Sequence, residues 1–473
     1  MPRLDSHSHR CQRNRSGAFP AAPVAEMEQP LKMPAARRPL LVAVWVASAV
    51  RASPASGAAA APAGIPDIPE LKPGAVIDAS NVDKVKDYVT PGVAWCVKNG
   101  MTLEIVPYRE VPLPKAYVEA TEKYAGQVSI DDQNMLVNWV AGQPFPEIDP
   151  NDPKAAEKIM YNFERNHYFT ESLDLHLVDA DTGSLYVDAK GRKHYNIERH
   201  FVPEWLRVIR FQGRLYHDPK PELKPNHDKV FQKGGLYPLI EPFDLKGVGG
   251  ISFRYLDQHK QDDTWLYLPM VRRVRRMSTN QRSDALFGQD IDVDSFGGYA
   301  GQIPWFEWRL LGERPMLASL HGERLPPEPC EGDGGMTFCE KWEMRPSVWV
   351  IEGKSKFPGY AYGKRIIFVD KQTNIITVSD LYDQAGELWK VVMISFRASN
   401  RPNPKVDFEY PETRMFAYAY TVVDIQLEHG TRVAMPGLAF QNEPGWYVDL
   451  GPDAPTSVGE DWFSIPALIA GGR

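Results

Sequence analysis

The sequence has few of the features that mark a catalytic or metal-binding protein. Its four cysteines and eleven histidines form no His-Glu-x-x-His motif and no set with the spacing of zinc ligands. It contains no Gly-x-Ser-x-Gly segment, the motif that presents the nucleophile in α/β-hydrolases, and no repeat of roughly 20–50 residues. The sequence therefore nominates no nucleophile, and we predict a non-enzymatic protein without a metal or a cofactor.

Positive charge is scarce over most of the chain. The net charge is −7, yet residues 1–60 contain eight lysines or arginines and only three acidic residues, a balance of +5. The rest of the chain therefore has a balance of −12. Because general nucleic-acid binding requires a basic surface, this charge excludes nucleic acid as a partner.

The apolar segment near the amino terminus is too short to cross a membrane. Pro39–Val50 is an apolar segment of twelve residues that follows Arg37 and Arg38 and precedes a run of small residues. A transmembrane helix needs about 20 apolar residues, whereas this arrangement is typical of a secretory signal. We predict that residues 1–60 are an upstream region and signal peptide, that residues 61–75 are a linker, and that the protein is exported.

The few cysteines allow two arrangements. Cys330 and Cys339 enclose a glycine-rich loop, and in an oxidising compartment they are candidates for a local disulfide. The alternative, in which both remain free thiols, stays open. Cys96 lies in an apolar helical context and is predicted to be a buried thiol.

Prolines and short polar connections predict a mainly β protein. The 41 prolines favour a loop-rich antiparallel fold over a helical bundle. Strand-like segments between residues 348 and 396 are joined by the tetrapeptides KQTN and DQAG, which are too short to connect parallel strands. We predict an α+β, mainly β fold: a curved antiparallel sheet or incomplete barrel, covered on its concave side by helices and an extended amino-terminal segment.

The expected organisation has a helical and extended cap at residues 76–170, an antiparallel β domain at 171–450 and a tail at 451–473. Within the cap, Thr90-Pro91 predicts a helix over Thr90–Asn99, since threonine is a common cap and proline suits the first turn. Within the β domain, Leu173–Phe211 has a strand pattern, and its first part, LDLHLVDADTGSLYVDA (residues 173–189), predicts a hairpin with its turn at residues 181–183.

One stretch, residues 262–301, stands out for its arginines and aspartates. Bidentate arginine–carboxylate pairs can hold an acidic loop against a strand, so these residues are candidates for a latch. The alternative is that they are solvated charges that protect an edge strand. The latch candidates are Arg272, Arg273, Arg275, Arg276, Arg282, Asp290, Asp292 and Asp294. A calcium loop is not predicted, since Ser295 and Gly301 replace its glycine and its bidentate glutamate.

Apolar and aromatic residues cluster in the same stretch. They form either ordinary core or the wall and lid of an apolar ligand cavity. The cavity and lid candidates are Trp265, Tyr267, Leu268, Val274, Phe287, Phe296, Tyr299 and Trp305.

This stretch also carries a family resemblance. The segments DDTWLYLPMVRRVRRM and RSDALFGQDIDVDSFGGYAG, with FPEIDPNDPKAAEKIMYNF upstream and RIIFVDKQTNIITVSDLYDQAGELWK downstream, resemble an envelope family of unknown function that is similar to outer-membrane lipoprotein-sorting proteins. The resemblance covers residues 75–450 and implies a fold related to LolA and LolB, with an apolar interior for acyl chains. It also implies a periplasmic location, which requires export. It further implies a link with exporters of the resistance-nodulation-division (RND) type.

Together these observations predict a periplasmic carrier for a lipid or other hydrophobic molecule that works with an envelope transporter and associates with the outer membrane. Its expected protein partner is an RND-type exporter or an outer-membrane protein. Two alternatives remain: a non-binding structural subunit of an RND-type exporter, and a hydrolase of envelope lipids. An apolar cavity that can hold an acyl chain favours the carrier, whereas an interior filled by side chains favours the structural subunit. A serine or cysteine bonded to a histidine in a cleft favours the hydrolase.

Overall fold

The computed structural model describes residues 65–278 and 281–473, which belong to one compact unit, Ala60–Arg473. The predicted signal peptide at residues 1–60 lies outside the described residues. None of the helices in the described part of the chain has the length and apolar character needed to span a bilayer.

Strands make up most of the regular structure. In chain order they are β1 (Val76–Ile77), β2 (Leu103–Val106), β3 (Ser129–Ile130), β4 (Leu136–Val137), β5 (Ser172–His176), β6 (Asp179–Val187), β7 (Lys193–Pro203), β8 (Trp205–Arg210), β9 (Val230–Leu236), β10 (Leu239–Glu241), β11 (Gly249–Tyr255), β12 (Asp263–Leu268), β13 (Arg273–Arg276), β14 (Phe306–Ala318), β15 (Lys341–Ser355), β16 (Lys364–Asp370), β17 (Ile375–Tyr382), β18 (Leu388–Ser399), β19 (Arg414–Asp424), β20 (His429–Ala434) and β21 (Trp446–Val448). Four α-helices accompany them: α1 (Pro91–Lys98), α2 (Lys115–Tyr124), α3 (Ala155–Glu164) and α4 (Ile465–Gly471).

The strands form two main open sheets. The larger has 12 strands in the order β1-β2-β15-β16-β17-β18-β19-β20-β6-β7-β10, with β14 paired to β15. The smaller has seven strands in the order β13-β12-β11-β9-β8-β5-β21. Neither order closes into a ring, and the pairing is antiparallel except between β2 and β15. The predicted mainly β, antiparallel and incomplete-barrel class is confirmed.

The centre of the large sheet follows directly from the sequence pattern. Strands β16, β17 and β18 are neighbours joined by tight turns, and each adjacent pair is antiparallel. Their side chains are buried on both faces. Continuous apolar runs, rather than alternation, are expected of strands that are covered on both sides.

Helices cover both faces of this sheet. Successive strand residues point to opposite sides. Ile367 of β16 packs in the cluster that contains Ile159 of α3, whereas the next residue, Phe368, packs in the cluster that contains Val93 of α1. We expected the helices and the extended amino-terminal segment on one side. They lie on two sides, because the continuous apolar runs of the central strands present two faces that both need cover.

Helix α1 begins where the sequence predicted. The Thr90 hydroxyl accepts a hydrogen bond from the Val93 amide at 3.2 Å and donates one to Oδ1 of Asp380 at 2.9 Å. The Gly92 amide donates to Oδ2 of the same carboxyl group at 3.2 Å. Asp380 is fully buried, and this burial raises its pKa to about 7 despite these hydrogen bonds. The start of α1 is thus fastened to β17.

The β domain differs from the prediction in one important respect. Strands β5 and β6 do not form a hairpin, because β5 belongs to the seven-stranded sheet and β6 to the large sheet. The predicted turn at residues 181–183 is wrong, since these residues lie inside β6. Their polar side chains have partners on neighbouring strands: Asp181 pairs with Arg432 at 2.9 Å, and Thr182 lies 2.8 Å from the Thr431 hydroxyl.

The predicted tail also contains a packed element. Ser464 caps α4 by accepting from the Ala467 amide at 3.3 Å. Leu468 of this helix is buried against Tyr237, Ile251 and Tyr267. Helix α4 therefore covers one face of the seven-stranded sheet over strands β11 and β12.

Gly183 tests the position of residues 181–183 inside β6. A Cβ atom at Gly183 would lie 1.9 Å from the carbonyl oxygen of Asn196 on β7. We predict that Gly183→Ala lowers the free energy of unfolding by about 1–3 kcal/mol or more, as overpacking does. Chemical denaturation measures this loss. Gly126→Ala, where no atom lies within 4 Å, should change the free energy by less than about 0.5 kcal/mol. Equal effects would contradict the strand assignment.

Asp380 predicts a pH dependence. A carboxyl group whose pKa is raised by folding holds a proton that the unfolded chain releases, so its contribution to stability falls as the pH rises from the unfolded value of 3.8 to about 7. The variant Asp380→Asn should therefore flatten the decline in unfolding free energy over this window. Asp383→Asn is the matched control, because hydrogen bonds lower the pKa of this exposed carboxyl group and it titrates below the window. An unchanged slope in Asp380→Asn would refute the assignment.

Candidate functional site

The acidic loop, residues 290–301, lies against the large sheet instead of projecting from the molecule. Its three aspartates, Asp290, Asp292 and Asp294, are all buried. Gly298 has a positive φ of 93° and leaves no room for a side chain, because its Cβ position lies 2.4 Å from Ile376 on β17. The loop is therefore part of the core.

Asp290 connects the loop to the β19–β20 end of the sheet. Its carboxylate accepts a hydrogen bond from the Thr431 hydroxyl at 2.8 Å and lies 2.8 Å from Nδ1 of His429. The hydrogen bond to Asp290 raises the pKa of His429. The Lys390 ammonium group donates to the Asp290 carbonyl at 3.0 Å. The partners of Asp290 are thus residues of the large sheet and not the arginine run.

Asp292 and Asp294 bond to tyrosines beside strand β16. Tyr362 donates its hydroxyl to Asp292 at 2.7 Å, and Tyr360 donates to Asp294 at 2.9 Å. Burial raises the pKa of Asp292, although Arg365 opposes that shift. The fully buried Arg365 donates to the Tyr360 hydroxyl at 2.8 Å. Two carboxylates and a guanidinium are thereby held within the protein.

A second set of ion pairs ties the loop to the seven-stranded sheet. Arg282 pairs with Asp294 at 2.6 Å and with Asp262 at 3.3 Å, and Asp262 pairs with Arg254 at 2.8 Å. Arg254 also reaches Glu164 of α3 at 3.3 Å. Burial disfavours the ionised form of Asp262, but the two arginines outweigh it and lower its pKa.

The latch candidates therefore separate into two groups. Of the five arginines, only Arg282 contacts an aspartate of the acidic loop. Arg276 pairs with Asp263 on the adjacent strand. Arg272, Arg273 and Arg275 are exposed and form no ion pair with any described residue. The arginine run lies on the edge strand β13, while the acidic loop faces the other sheet, which explains the separation.

The cavity candidates likewise occupy different places. Tyr267 is buried under α4, with Trp265 and Val274 packed beside it. Tyr299 is buried in the main core against Phe306 and Trp308, at ring distances of 5.1 and 5.0 Å, and Phe296 packs at its margin. Leu268 is half-buried and Phe287 is 36% exposed. Trp305, buried beside an open cleft, is the one candidate among the eight that lines it.

This cleft has a volume of about 330 Å³. Its lining residues come from the β3–β4 turn, the β11–β12 loop, the start of β14 and the end of β15. They are Gln133, Met135, Gln258, His259, Gln261, Pro304, Trp305 and Phe357. Pro304 and Trp305 are buried, whereas Gln133, His259 and Gln261 are exposed. The cleft thus has an aromatic inner side and a polar rim.

Most of these residues escaped the sequence analysis because they come from four separate loops. Trp305 and Phe357 are 52 positions apart in the chain. Their neighbours Pro304 and Lys356 are in contact, since the Lys356 ammonium group donates to the Pro304 carbonyl at 2.9 Å. Nothing in the sequence pattern indicates that these two segments meet. The polar segment 257–262 between two alternating strands was the one available signal. It marks a loop, but it does not indicate what the loop faces.

The cysteine residues have defined positions. Cys330 and Cys339 are joined by a disulfide, with their Cα atoms 4.9 Å apart. Cys96 is buried under the large sheet, and burial raises the pKa of its thiol well above the usual value.

One cluster of side chains has potential metal-ligand atoms close enough together to bind a metal ion. Ligand atoms of Asp179, Asp181 and His200 lie within 4.8 Å of one another. Arg432 pairs with Asp181 at 2.9 Å, and the His200 ring lies 2.9 Å from the same carboxylate. Since these two groups already provide the positive charge, the cluster is explained as an ion-pair network.

The two open antiparallel sheets, the filled core and the cleft between loops define a β-rich protein of the α+β class. Within that class the chain belongs to DUF1329, a family of proteins of unknown function, whose model matches residues 76–445. This match confirms the family resemblance seen around residues 262–301.

Solved structures with partial similarity include a putative outer membrane lipoprotein-sorting protein domain from Vibrio parahaemolyticus, with 15% identity, a TM-score of 0.41 and coverage of 66% of this chain and 97% of that one. A DUF1329 family protein from Desulfovibrio piger has 15% identity, a TM-score of 0.40 and coverage of 67% and 98%. A LolA superfamily protein from Nitrosomonas europaea has 15% identity, a TM-score of 0.31 and coverage of 59% and 90%. No curated protein matches the chain.

The two kinds of Arg–Asp pair predict different mutational effects. Arg282→Met leaves Asp262 and Asp294 buried with less positive charge, so we expect a loss of about 3–5 kcal/mol in unfolding free energy. Arg276→Met removes an exposed arginine, and Asp263 keeps its hydrogen bond from Tyr255 at 2.7 Å, so the loss should be below about 1 kcal/mol. Urea denaturation compares them. Similar losses would show that the Arg282 pairs are not a buried anchor.

Proposed function

We propose that this protein is an exported binding protein that reversibly holds a hydrophobic or amphiphilic molecule in the cleft beside Trp305, and that it does so without covalent chemistry. The observation that carries the proposal is the division of the cleft into an aromatic inner side and a polar rim. Ligand sites in proteins are typically concave, mostly apolar and supplied with a few polar groups that orient the ligand.

The inner side of the cleft is built to receive an apolar group. Trp305 and Phe357 meet edge to face, with ring centres 5.5 Å apart. The Lys356 amide donates to the Trp305 carbonyl at 2.9 Å, which fixes the backbone behind the ring. Met135 completes this side, and methionine adapts its shape to different apolar partners.

The rim is also fixed before any ligand arrives. Gln258 accepts a hydrogen bond from the Tyr161 hydroxyl at 2.7 Å and donates to the Leu136 carbonyl at 3.3 Å. These bonds tie the β11–β12 loop to α3 and to β4. A polar head group therefore meets a preorganised surface, which reduces the entropy lost on binding.

The size of the cleft limits the ligand. A volume of about 330 Å³ lies near the lower end of the roughly 300–1,000 Å³ range of small-molecule sites. The cleft thus suits part of a lipid, such as a short length of acyl chain together with its polar end. Each methylene that is buried contributes about 0.8 kcal/mol, so several are enough for reversible binding.

The face of the large sheet beneath the acidic loop, by contrast, is occupied by side chains. Tyr299, Phe306, Trp308 and Tyr360 pack against each other there, with ring centres 5.0 to 5.4 Å apart. This filled face supports a second candidate function, a structural accessory subunit of an envelope exporter. The two candidates differ in whether the protein binds a small hydrophobic ligand.

The lipid-hydrolase alternative has less support. The described histidines that bond to other side chains do so with carboxylates, as His176 does with Glu443 and His321 with Glu343. The cleft is lined by neither serine nor cysteine. The lining of this cleft therefore offers no serine or cysteine nucleophile for such an enzyme.

A binding titration tests the proposed site. We expect a dansyl-labelled fatty acid to bind the purified protein, and Phe357→Ala to weaken that binding about tenfold, since a tenfold change corresponds to about 1.4 kcal/mol and the ring forms part of the apolar wall. Fluorescence titration gives both dissociation constants. Phe287→Ala, which truncates an aromatic residue outside the cleft, should leave the constant unchanged.

Two results would oppose the proposal in different ways. If Phe287→Ala weakens binding and Phe357→Ala does not, the ligand binds elsewhere. If the fatty acid does not bind and native mass spectrometry of protein purified from the periplasm shows no co-purified lipid, the accessory-subunit candidate is favoured.

A further inference from the structure

Three chain segments meet at one corner of the seven-stranded sheet. They are the β10–β11 loop, the β12–β13 turn and the carboxyl terminus after α4. A Cβ atom placed on Gly247 of the first segment would lie 3.1 Å from Cγ of Pro269 in the second and 2.5 Å from the Gly472 carbonyl oxygen in the third. The two loops are therefore in contact at their bases.

The outer ends of these loops carry apolar side chains that the fold leaves uncovered. Phe243 is 91% exposed, Met270 is 77% exposed and Val271 is 50% exposed. Phe243 lies four residues before Gly247, and Met270 directly follows Pro269, so all three belong to the same corner. We call Phe243, Met270 and Val271 the apolar tip. Single exposed apolar residues are common, but a group at the ends of two adjoining loops indicates an interaction surface.

The backbone beneath the apolar tip is well fixed. The Gly247 amide donates to the Leu239 carbonyl at 2.7 Å, and the Leu239 amide donates to the Val248 carbonyl at 2.8 Å. In the β12–β13 turn, the Arg272 amide donates a hydrogen bond to the Pro269 carbonyl at 3.0 Å. Below them, Leu468 of α4 packs against Tyr267. The exposed side chains are thus presented by a rigid support.

Positive charge surrounds the tip. Arg272, Arg273 and Arg275 follow it directly, and they are exposed and unpaired among the described residues. Lys246 is exposed in the other loop, while Asp244 is engaged by Arg199 at 3.2 Å. At about 3.3 Å per residue along a strand, Arg272 and Arg273 lie within about 7 Å of Val271, inside one Debye length of about 8 Å at physiological salt, and Arg275 lies about 13 Å away. This basic corner stands out on a chain whose part after residue 60 carries a balance of −12.

We propose that the corner formed by the apolar tip and the β13 arginines docks the protein on a membrane surface that contains anionic phospholipids. Phe243, Met270 and Val271 enter the head-group region, and Arg272, Arg273 and Arg275 pair with lipid phosphates, which guanidinium groups bind in a bidentate manner. Apolar residues combined with adjacent arginines are the requirements for binding at this interface.

Charge complementarity favours a lipid surface over a protein partner. The apolar groups occupy the ends of loops, and the cations extend away from them along an edge strand. This order matches the layers of a bilayer surface, in which the apolar interior lies beneath the phosphates. The inference does not depend on the ligand cleft, since the corner and the cleft share no residue.

Vesicle flotation tests the proposal. Purified protein should float with vesicles of phosphatidylethanolamine and phosphatidylglycerol, and much less with vesicles of phosphatidylcholine alone. The double variant Phe243→Ser/Met270→Ser should reduce the partition coefficient at least tenfold. The triple variant Arg272→Ser/Arg273→Ser/Arg275→Ser should remove the preference for the anionic vesicles and the sensitivity to salt.

Leu427→Ser is the matched control, because Leu427 is 71% exposed in the β19–β20 turn of the other sheet and its removal should not affect flotation. Circular dichroism and the thermal midpoint verify that each variant is folded. The proposal is overturned if wild-type protein does not float with the anionic vesicles, or if Leu427→Ser and the double variant lose flotation equally. It is also overturned if a photo-cross-linker at position 270 captures protein and no lipid in isolated envelopes.

Discussion

A continuous set of buried polar contacts joins the two sheets and positions everything between them. It runs from Glu164 on α3 through Arg254 and Asp262 to Arg282 and Asp294, and then through Tyr360 to Arg365 on β16. Buried charges are tolerated only where each has a partner. The alternation of acidic and basic groups meets that requirement and makes the acidic loop a fixed connection.

This network limits where the proposed ligand can bind. Because the acidic loop and its aromatic neighbours occupy the face of the large sheet, the available concave site lies at the margin, where the β3–β4 turn and the β11–β12 loop meet Trp305 and Phe357. The arginine run, which was a candidate either for a latch on the acidic loop or for solvated charge at an edge strand, does not contact that loop. It lies at a corner with exposed apolar side chains, where the proposed membrane docking gives it a role. The cleft and the corner are thus two separate surfaces of one compact unit.

The sequence predicted the local features well. The helix after Thr90 and the antiparallel order of β16–β18 both depend on caps and tight turns within a short window. It could not predict that β5 and β6 belong to different sheets, because Asp181-Thr182-Gly183 has the composition of a turn. Its pairing with β7 on one side and with the distant strand β20 on the other makes it part of a strand. The burial of Asp290, Asp292 and Asp294 was unpredictable for the same reason, since His429, Tyr362 and Tyr360 are at least 66 residues away in the chain.

The central claim is that the acidic loop is a permanent part of the core and not a lid that opens for ligand. Amide hydrogen exchange across residues 290–301 tests it most directly, because protection reports the free energy of local opening. Our account predicts protection close to that of strands β16–β18, unchanged when a fatty acid is added. Rapid exchange in the loop, or protection that appears only with the fatty acid, would contradict it.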